Sequence, residues 1–203
     1  MTAQLEFWFE FASTYSHVAA LRIETIARAA GVSVIWKPFL LGPIFRKQGW
    51  NDSPFNLYPA KGVYMWQDMA RQCAKHGVPF RKPSAFPRPS LLATRIGLAL
   101  DPTPQRVAEF SRRVYLANFH EDVDTTNDDI VRGLLLSMGW PDAEAVLAQA
   151  TSAETKERLR LRGDEAFERG IFGAPTFLIG SELYWGNDRL EDALACCVGV
   201  RSS

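Results

Sequence analysis

A serine at the predicted start of a helix is the residue of this chain best placed to do chemistry. Ser13 follows an aromatic segment, residues 4–11, and opens the motif Ser13-Thr14-Tyr15-Ser16. The free N–H groups and the positive dipole end of a helix N-terminus favour a negative charge there. A serine cannot form a disulfide, but its hydroxyl can donate a charge-assisted hydrogen bond to the thiolate of another molecule. The motif therefore predicts a site for an external thiol, although a helix N-cap would also explain Ser13 taken alone.

The second candidate site is a proline turn near the end of the chain. Gly173-Ala174-Pro175-Thr176 leads into an apolar segment. Because the bond before a proline adopts the cis form at low cost, we expect a cis bond between Ala174 and Pro175. The backbone N–H and C=O of Ala174 would then pair with an extended ligand, as a neighbouring strand does. A trans proline that starts a strand is the alternative.

The elements that would hold the serine motif are a strand, a helix and a second strand. Residues 4–11 alternate with a period of two, which predicts a strand. Residues 17–30 carry apolar side chains at helical spacing and end at Gly31, and residues 32–36 are β-branched and aromatic. This order implies a right-handed βαβ unit with parallel strands. One face of the first strand carries Leu5, Phe7, Phe9 and Phe11, and the other carries Gln4, Glu6, Trp8 and Glu10.

The middle of the chain is predicted to be helical. Residues 42–59 mix Gly, Pro, Asn and Asp and predict a long loop, beyond which apolar residues recur at helical spacing. Thr151-Ser152-Ala153-Glu154 fits a capping box that opens a helix reaching about Gly170. Strand character returns in residues 176–179 and 183–185, a hairpin that precedes a final helix beginning at Asp188.

Composition excludes several classes of function. The 203 residues are 47% hydrophobic, which suits one domain or one domain with a large insertion. The 23 basic residues balance 23 acidic ones, so no overall field favours nucleic acid or an anionic membrane, and no apolar run is long enough to span a bilayer. The first residues show no leader pattern, and Cys73, Cys196 and Cys197 fit neither a disulfide framework nor a metal site. We therefore expect a cytoplasmic protein that binds no metal, nucleic acid or membrane.

Three segments of the chain together carry a resemblance to a known family. They are Phe9-Glu10-Phe11-Ala12-Ser13-Thr14-Tyr15-Ser16, then Lys61-Gly62-x-Tyr64-Met65-x-x-Asp68, and finally Phe172-Gly173-Ala174-Pro175-Thr176 with Trp185-Gly186-Asn187-Asp188-Arg189. In this order they resemble motifs of the 2-hydroxychromene-2-carboxylate isomerases and the kappa-class glutathione transferases. The first resembles that family's Phe-Asp-Phe-x-Ser-Pro-Tyr-Ser and lies where thioredoxin-like oxidoreductases carry Cys-x-x-Cys. The resemblance covers nearly the whole chain.

The resemblance implies an α/β, thioredoxin-like fold, βαβ…ββα, with a large all-helical DsbA-like insertion. Residues 1–40 and 171–203 would form the thioredoxin-like domain. Residues 41–170 would form the loop and the helical insertion.

The resemblance also implies glutathione as the cofactor. Ser13 would hold its sulfur as a thiolate, and Ala174 would pair with its cysteinyl backbone. The γ-glutamyl end would be held by Trp185, Gly186, Asn187 and Asp188.

The activity that the resemblance implies is a glutathione-dependent cis–trans isomerisation in aromatic catabolism. Reversible addition of the thiolate would convert 2-hydroxychromene-2-carboxylate to trans-o-hydroxybenzylidenepyruvate, or act on a related small aromatic molecule. The enzyme is expected to be a homodimer. Phe86 stands about where naphthalene-pathway isomerases have a tyrosine that contacts the substrate, which leaves a different substrate open. Further candidates for the substrate side are Asn51, Asn56 and Lys61, with Arg46 and Lys47 as other cations for a carboxylate.

Other functions remain open from the sequence. A kappa-like glutathione transferase or peroxidase would use the same cofactor. A serine hydrolase using Ser13 and His17 lacks both a Gly-x-Ser-x-Gly elbow and an orienting acid. A non-catalytic, DsbA-like peptide-binding module is the third alternative.

Overall fold

The structure, a computed structural model, describes residues 3–199 as a four-stranded sheet surrounded by helices. The strands are β1 (Ala3–Phe9), β2 (Val32–Pro38), β3 (Thr176–Ile179) and β4 (Glu182–Trp185). The helices are α1 (Thr14–Ala29), α2 (Leu41–Lys47), α3 (Pro54–Leu57), α4 (Pro59–His76), α5 (Leu91–Leu100), α6 (Pro104–Phe119), α7 (Asp128–Leu136), α8 (Ala143–Thr151), α9 (Ala153–Glu168) and α10 (Leu190–Cys197). A short 3-10 turn, Asn187–Arg189, lies between β4 and α10. The predicted outer segments, 1–40 and 171–203, supply all four of these strands, but their first two and last four residues lie outside the described part.

Strand pairing brings distant parts of the chain together at the end of the sheet where β1 finishes. The order is β2-β1-β3-β4, with β2 parallel to β1 and the other pairs antiparallel, which confirms the predicted βαβ unit and hairpin. Trp8 pairs with Thr176, so the start of β3 lies beside the end of β1. Thr176 also pairs with Trp185, which places the end of β4 at the same end of the sheet. The segments that precede β3 and follow β4 therefore meet the start of α1.

The central strand β1 is covered on both faces. Leu5, Phe7 and Phe9 are fully buried in a core shared with the helices. Trp8 points to the other face and is fully buried as well, in a second cluster with Phe39. Burial on both faces is typical of a central strand between helical layers.

The segment predicted as a loop, residues 42–59, contains helices. It holds most of α2, all of α3 and the first residue of α4, so the predicted loop was wrong. Pro54 and Pro59 lie in the first turns of α3 and α4. Proline is tolerated there because the first N–H groups of a helix have no partner within the helix. The prolines therefore mark the starts of two helices.

Two further helix boundaries differ from the prediction. Ser152, one residue later than predicted, caps α9 by accepting a hydrogen bond from the Thr155 N–H at 3.1 Å, while Thr151 ends the preceding helix. The final helix begins at Leu190, and Asp188 lies within the 3-10 turn that precedes it.

An apolar cluster joins α1 to α4 beside the serine motif. We call it the α1–α4 cluster; its buried members are Val18, Met65, Met69, Cys73 and Val78, and its half-buried members are Tyr15, Leu21, Phe55, Trp66, Phe80 and Phe86. Thr14 contacts this cluster directly, since its hydroxyl lies 3.3 Å from the sulfur of Met65. The helical block thus packs against the N-terminal end of α1.

Candidate functional site

Ser13 is both a helix cap and a partner of the proline turn. Its Oγ accepts a hydrogen bond from the Ser16 N–H at 3.2 Å, which is the N-cap interaction of α1. The same hydroxyl donates to the carbonyl oxygen of Ala174 at 3.0 Å. Ser13 is half-buried, so a ligand at this end of the sheet can reach it. Ser13 is therefore a helix cap, and its hydroxyl also joins the start of α1 to the proline turn.

The proline turn has the conformation predicted from the sequence. The bond between Ala174 and Pro175 is cis. The Pro175 carbonyl accepts a hydrogen bond from the Gly186 N–H at 3.0 Å, while no backbone hydrogen bond among residues 3–199 uses the Ala174 N–H. A carbonyl oxygen has two lone pairs, so Ala174 retains one acceptor position beside its bond to Ser13. Ala174 thus offers one donor and one acceptor to an extended ligand.

Trp185 and Gly186 run alongside this turn. The Trp185 ring is 52% exposed and lies 5.0 Å from the ring of Phe172. A Cβ on Gly173 would overlap the indole nitrogen of Trp185. Gly186 has φ +110°, and a Cβ there would crowd the Asp188 carboxylate. Gly186 accordingly requires glycine, and Gly173 leaves room for the Trp185 ring in its present position.

Asn187 and Asp188 differ in their access to a ligand. Asn187 is buried, and its Oδ1 accepts a hydrogen bond from Arg22 at 3.2 Å, so its side chain serves the contact with α1. The Asp188 side chain is 68% exposed and pairs with Arg189 at 3.8 Å. Of these two predicted ligand residues, Asp188 is the one whose side chain can reach a bound molecule.

Tyr15 brings a second carboxylate to the same place. Its hydroxyl donates to Asp68 of α4 at 2.9 Å. Burial and this bond raise the pKa of Tyr15, and the nearby charges of Asp68 and Asp188 raise it further. The two carboxylates therefore both lie near the Tyr15 hydroxyl and together form an acidic region. The segment 61–68 was singled out from sequence, but Asp68 was not named as a site residue because only the fold shows what it faces.

The four predicted substrate residues occupy different surroundings. Asn51 is exposed, and Asn56 is exposed with its amide bound to Asp52 at 3.1 and 3.2 Å. Lys61 is exposed at the start of α4, with its ammonium group 4.6 Å from the Tyr58 ring and no ion pair among residues 3–199. Phe86 is half-buried in the α1–α4 cluster next to the serine motif.

Arg46 and Lys47, the other predicted partners for a substrate carboxylate, lie on α2. Lys47 pairs with Asp164 at 3.5 Å and lies over the ring of Phe167, which ties it to α9. Arg46 is exposed. Lys61 is therefore the better candidate for a substrate carboxylate, because it lies on the helix that contacts α1.

A Ser13–His17 catalytic pair is absent from residues 3–199. His17 is fully buried, its Nε2 lies 2.9 Å from the Pro79 carbonyl, and its Nδ1 has no partner. Burial lowers the pKa of His17 to about 4, so the ring is neutral near pH 7. Ser16 is also buried, and its hydroxyl has no hydrogen bond. The geometry gives no support to a serine hydrolase.

A surface cavity lies far from Ser13, and neither a metal-binding cluster nor a membrane-spanning helix was found within residues 3–199. A cavity of about 380 Å³ opens beside β2, at the opposite end of the strands from Ser13, between residues such as Gln4, Arg28 and Gln105. Within residues 3–199, no group of three or more metal-binding side chains was found. Over the same residues, none of the helices combines the length and the apolar character that a membrane span requires.

Comparison with known proteins identifies the family. Residues 4–195 match the family model of the DsbA-like thioredoxin domain. The chain belongs to this family. Its thioredoxin-like fold with many added helices is thereby confirmed.

Named relatives include enzymes of two activities. A 2-hydroxychromene-2-carboxylate isomerase of Sphingobium xenophagum is 28% identical, and the alignment covers 94% of this chain and 96% of the isomerase. A kappa 2 glutathione S-transferase of Caenorhabditis elegans is 26% identical, and the alignment covers 92% of this chain and 88% of the transferase. The solved structure of a 2-hydroxychromene-2-carboxylate isomerase superposes with a TM-score of 0.83 at 26% identity, over 95% of this chain and 93% of that one. These similarities support an enzyme of this group.

Proposed function

We propose that the protein is a glutathione-dependent cis–trans isomerase of a small aromatic keto acid, related to 2-hydroxychromene-2-carboxylate. The observation that carries the proposal is the contact between the Ser13 hydroxyl and the Ala174 carbonyl. This contact brings together the Ser13 hydroxyl, the N-terminus of α1 and the unpaired N–H of Ala174 at one end of the sheet. A thiol with a peptide backbone has the groups that fit this combination.

The residues present suit the three functional parts of glutathione. The Ser13 hydroxyl and the start of α1 would stabilise a thiolate. The N–H and the remaining lone pair of Ala174 would pair with the cysteinyl backbone. Asp188, and Asp68 behind Tyr15, would attract the ammonium group of the γ-glutamyl end.

Stabilisation of the thiolate is the chemical task of Ser13. A free thiol has a pKa of about 8.5, so only a few per cent of it is ionised near pH 7. A charge-assisted hydrogen bond and the helix dipole together supply about 1.5 to 3 kcal/mol, which lowers the pKa by about one to two units. Glutathione would supply a thiolate that adds reversibly to a conjugated double bond, which allows rotation before elimination.

The substrate would lie between Ser13 and the α1–α4 cluster. Phe86 packs edge-on against Trp66 at 4.9 Å and offers an apolar surface for an aromatic ring. Lys61, on the neighbouring helix, would bind the substrate carboxylate. The exposed amide of Asn51 would provide a polar contact, whereas Asn56 is already bound to Asp52.

A kappa-like glutathione transferase is the second candidate. The position of Asp68 beside Tyr15 favours it, because Lys61 to Asp68 is the segment that resembles the kappa enzymes. Such an enzyme would use the same thiolate but leave the sulfur on its product.

The deciding experiment measures the turnover of cis-o-hydroxybenzylidenepyruvate and its cyclic form by purified protein with and without glutathione. Isomerisation that requires glutathione and does not consume it is the expected result. Glutathione consumption with an electrophilic aryl halide, without isomerisation, would favour the transferase. Failure to bind glutathione at all would contradict both and favour a peptide-binding module.

A further inference from the structure

Glu10 carries a partly buried carboxyl group that the proposed function does not use. It follows β1 directly, and its Oε1 accepts a hydrogen bond from the Ser90 hydroxyl of α5 at 2.9 Å. The nearby Ala12 N–H also acts to lower the pKa of this carboxyl group. Within residues 3–199 it forms no ion pair with a lysine or arginine. A carboxylate without a cation in such surroundings is costly, which suggests that it titrates.

The surroundings of Glu10 set its titration near neutral pH. Burial raises its pKa from 4.5 to about 7, although the hydrogen bonds from Ser90 and Ala12 act in the opposite direction. Tyr115 of α6 donates its hydroxyl to the Glu10 backbone carbonyl at 2.9 Å, and burial keeps its own pKa well above 10. The groups that face Glu10 from α5, α6 and the following turn are therefore uncharged at this pH.

Glu10 and Ser13 are the two ends of one tight turn. The Ser13 N–H donates to the Glu10 carbonyl at 2.9 Å. A four-residue turn with this bond brings the Cα atoms of its first and last residues within about 7 Å of each other. A negative charge held by Ser13 would therefore lie on the same short turn as the Glu10 carboxylate, and neighbouring like charges raise each other's pKa.

We propose that the Glu10 carboxylate takes up the proton that the glutathione thiol loses when glutathione binds beside Ser13. This inference rests on the proposed function. The S–H bond breaks and an O–H bond forms on Glu10, so the site keeps one negative charge, which moves from Glu10 to sulfur. Glu10 returns the proton when the thiol leaves. The Ser90 hydroxyl holds the carboxyl group in place in both states.

The experiment counts the protons that are released when glutathione binds at about pH 7.5. Calorimetry in buffers of different ionisation enthalpy gives the protons released to solution, and the ultraviolet absorbance of the thiolate gives the sulfur ionised. In the wild type we expect less than about half a proton per thiolate, because Glu10 with a pKa of about 7 is mostly ionised beforehand and captures the rest. In Glu10→Gln we expect close to one proton per thiolate.

A matched control is available four residues earlier in the chain. Glu6 lies within β1 and pairs with Arg169 at 2.6 Å, so Glu6→Gln should release as few protons as the wild type. Difference infrared spectroscopy of the wild type gives a second test that needs no variant. Binding of glutathione should produce the C=O band of a newly protonated carboxyl group.

The outcomes separate this inference from the function on which it rests. A thiolate that forms with equal proton release in the wild type and Glu10→Gln, or without the infrared band, overturns the role of Glu10 alone. A wild-type protein that forms no thiolate with glutathione overturns the proposed function and this inference together.

Discussion

The Ser13 hydroxyl donates a hydrogen bond to the Ala174 carbonyl at 3.0 Å, across a sequence separation of 161 residues. The pairing of Trp8 with Thr176 makes this contact possible, because it aligns the end of β1 with the start of β3. In the proposed complex the Ser13 hydroxyl turns its proton from the carbonyl to the sulfur. The hydrogen bond seen in the structure thus keeps the hydroxyl oriented at the site in the absence of ligand.

We predict that Ser13→Ala raises the pKa of bound glutathione by about one unit, because the variant loses the charge-assisted hydrogen bond but keeps the helix dipole. Titration of the thiolate absorbance measures this pKa. The lost N-cap should also lower the free energy of unfolding by about 1 kcal/mol. Ser16→Ala is the control: its hydroxyl is buried without a hydrogen bond, so neither quantity should change by much. An unchanged thiol pKa in Ser13→Ala would contradict the assigned role.

We predict that Asp188→Asn weakens glutathione binding by roughly 10- to 100-fold, since a hydrogen bond to a charged group contributes about 1.5 to 3 kcal/mol. The exposed side chain makes no helix cap, so the free energy of unfolding should stay the same. Isothermal titration measures the affinity. Asp192→Asn makes the same charge change in the following helix, where Asp192 pairs with Arg189, and should leave the affinity close to that of the wild type. Equal losses in both variants would show a general charge effect instead of a contact.

We predict that Gly173→Ala displaces the Trp185 ring, because the added Cβ would overlap the indole. The ring is half exposed, so it should swing away while the fold persists. A change in tryptophan fluorescence and a loss of glutathione affinity are the expected readouts. Gly163→Ala, in α9 with nothing within 4 Å of the new Cβ, should change neither. Normal affinity in Gly173→Ala would exclude Trp185 from the binding site.

We predict opposing effects of Glu10 and His17 on stability. Burial raises the pKa of Glu10 from 4.5 to about 7, so its contribution to stability is present at low pH and is lost as the pH rises through this range. Burial lowers the pKa of His17 from 6.5 to about 4, so its contribution is lost as the pH falls. Each effect is worth up to roughly 3 kcal/mol, and in the wild type the two nearly cancel between about pH 4.5 and 6.5.

Removing either group should expose the effect of the other. In Glu10→Gln the free energy of unfolding should rise with pH across this window, and in His17→Gln it should fall. Urea unfolding at several pH values measures both slopes. Asp122, whose pKa is lowered to about 2, titrates outside the window and does not interfere. Parallel curves for the wild type and Glu10→Gln would contradict the raised pKa of Glu10.

Periodicity predicted the elements that build the sheet. The cis bond before Pro175 was expected from the proposed ligand pairing at this turn, since an Ala-Pro bond taken alone is more often trans. The sequence misled where a residue type has two structural meanings. Pro54 and Pro59 suggested a loop but occupy the first turns of helices. Asp188 suggested a helix start but lies in a 3-10 turn.

Properties that depend on long-range contacts could not be predicted. Glu10 alternates with other polar residues along the predicted first strand, and only the contact with Ser90, 80 residues away, shows that its carboxyl group is bound by another helix. The burial of Asn187 against Arg22 is likewise a product of the fold. The homodimer, the cytoplasmic location and the ligand roles of the site residues stay predictions.

The strand order has a consequence for how such a protein diversifies. In the proposed function the thiol would lie where Ser13 and Ala174 meet, at the ends of neighbouring strands, whereas the aromatic substrate would lie against the α1–α4 cluster. The two sides would therefore be built by different parts of the chain. Substitutions in the cluster that leave the contact between Thr14 and Met65 intact could then change the fit to an aromatic compound while Ser13 and Ala174 keep their hydrogen bond.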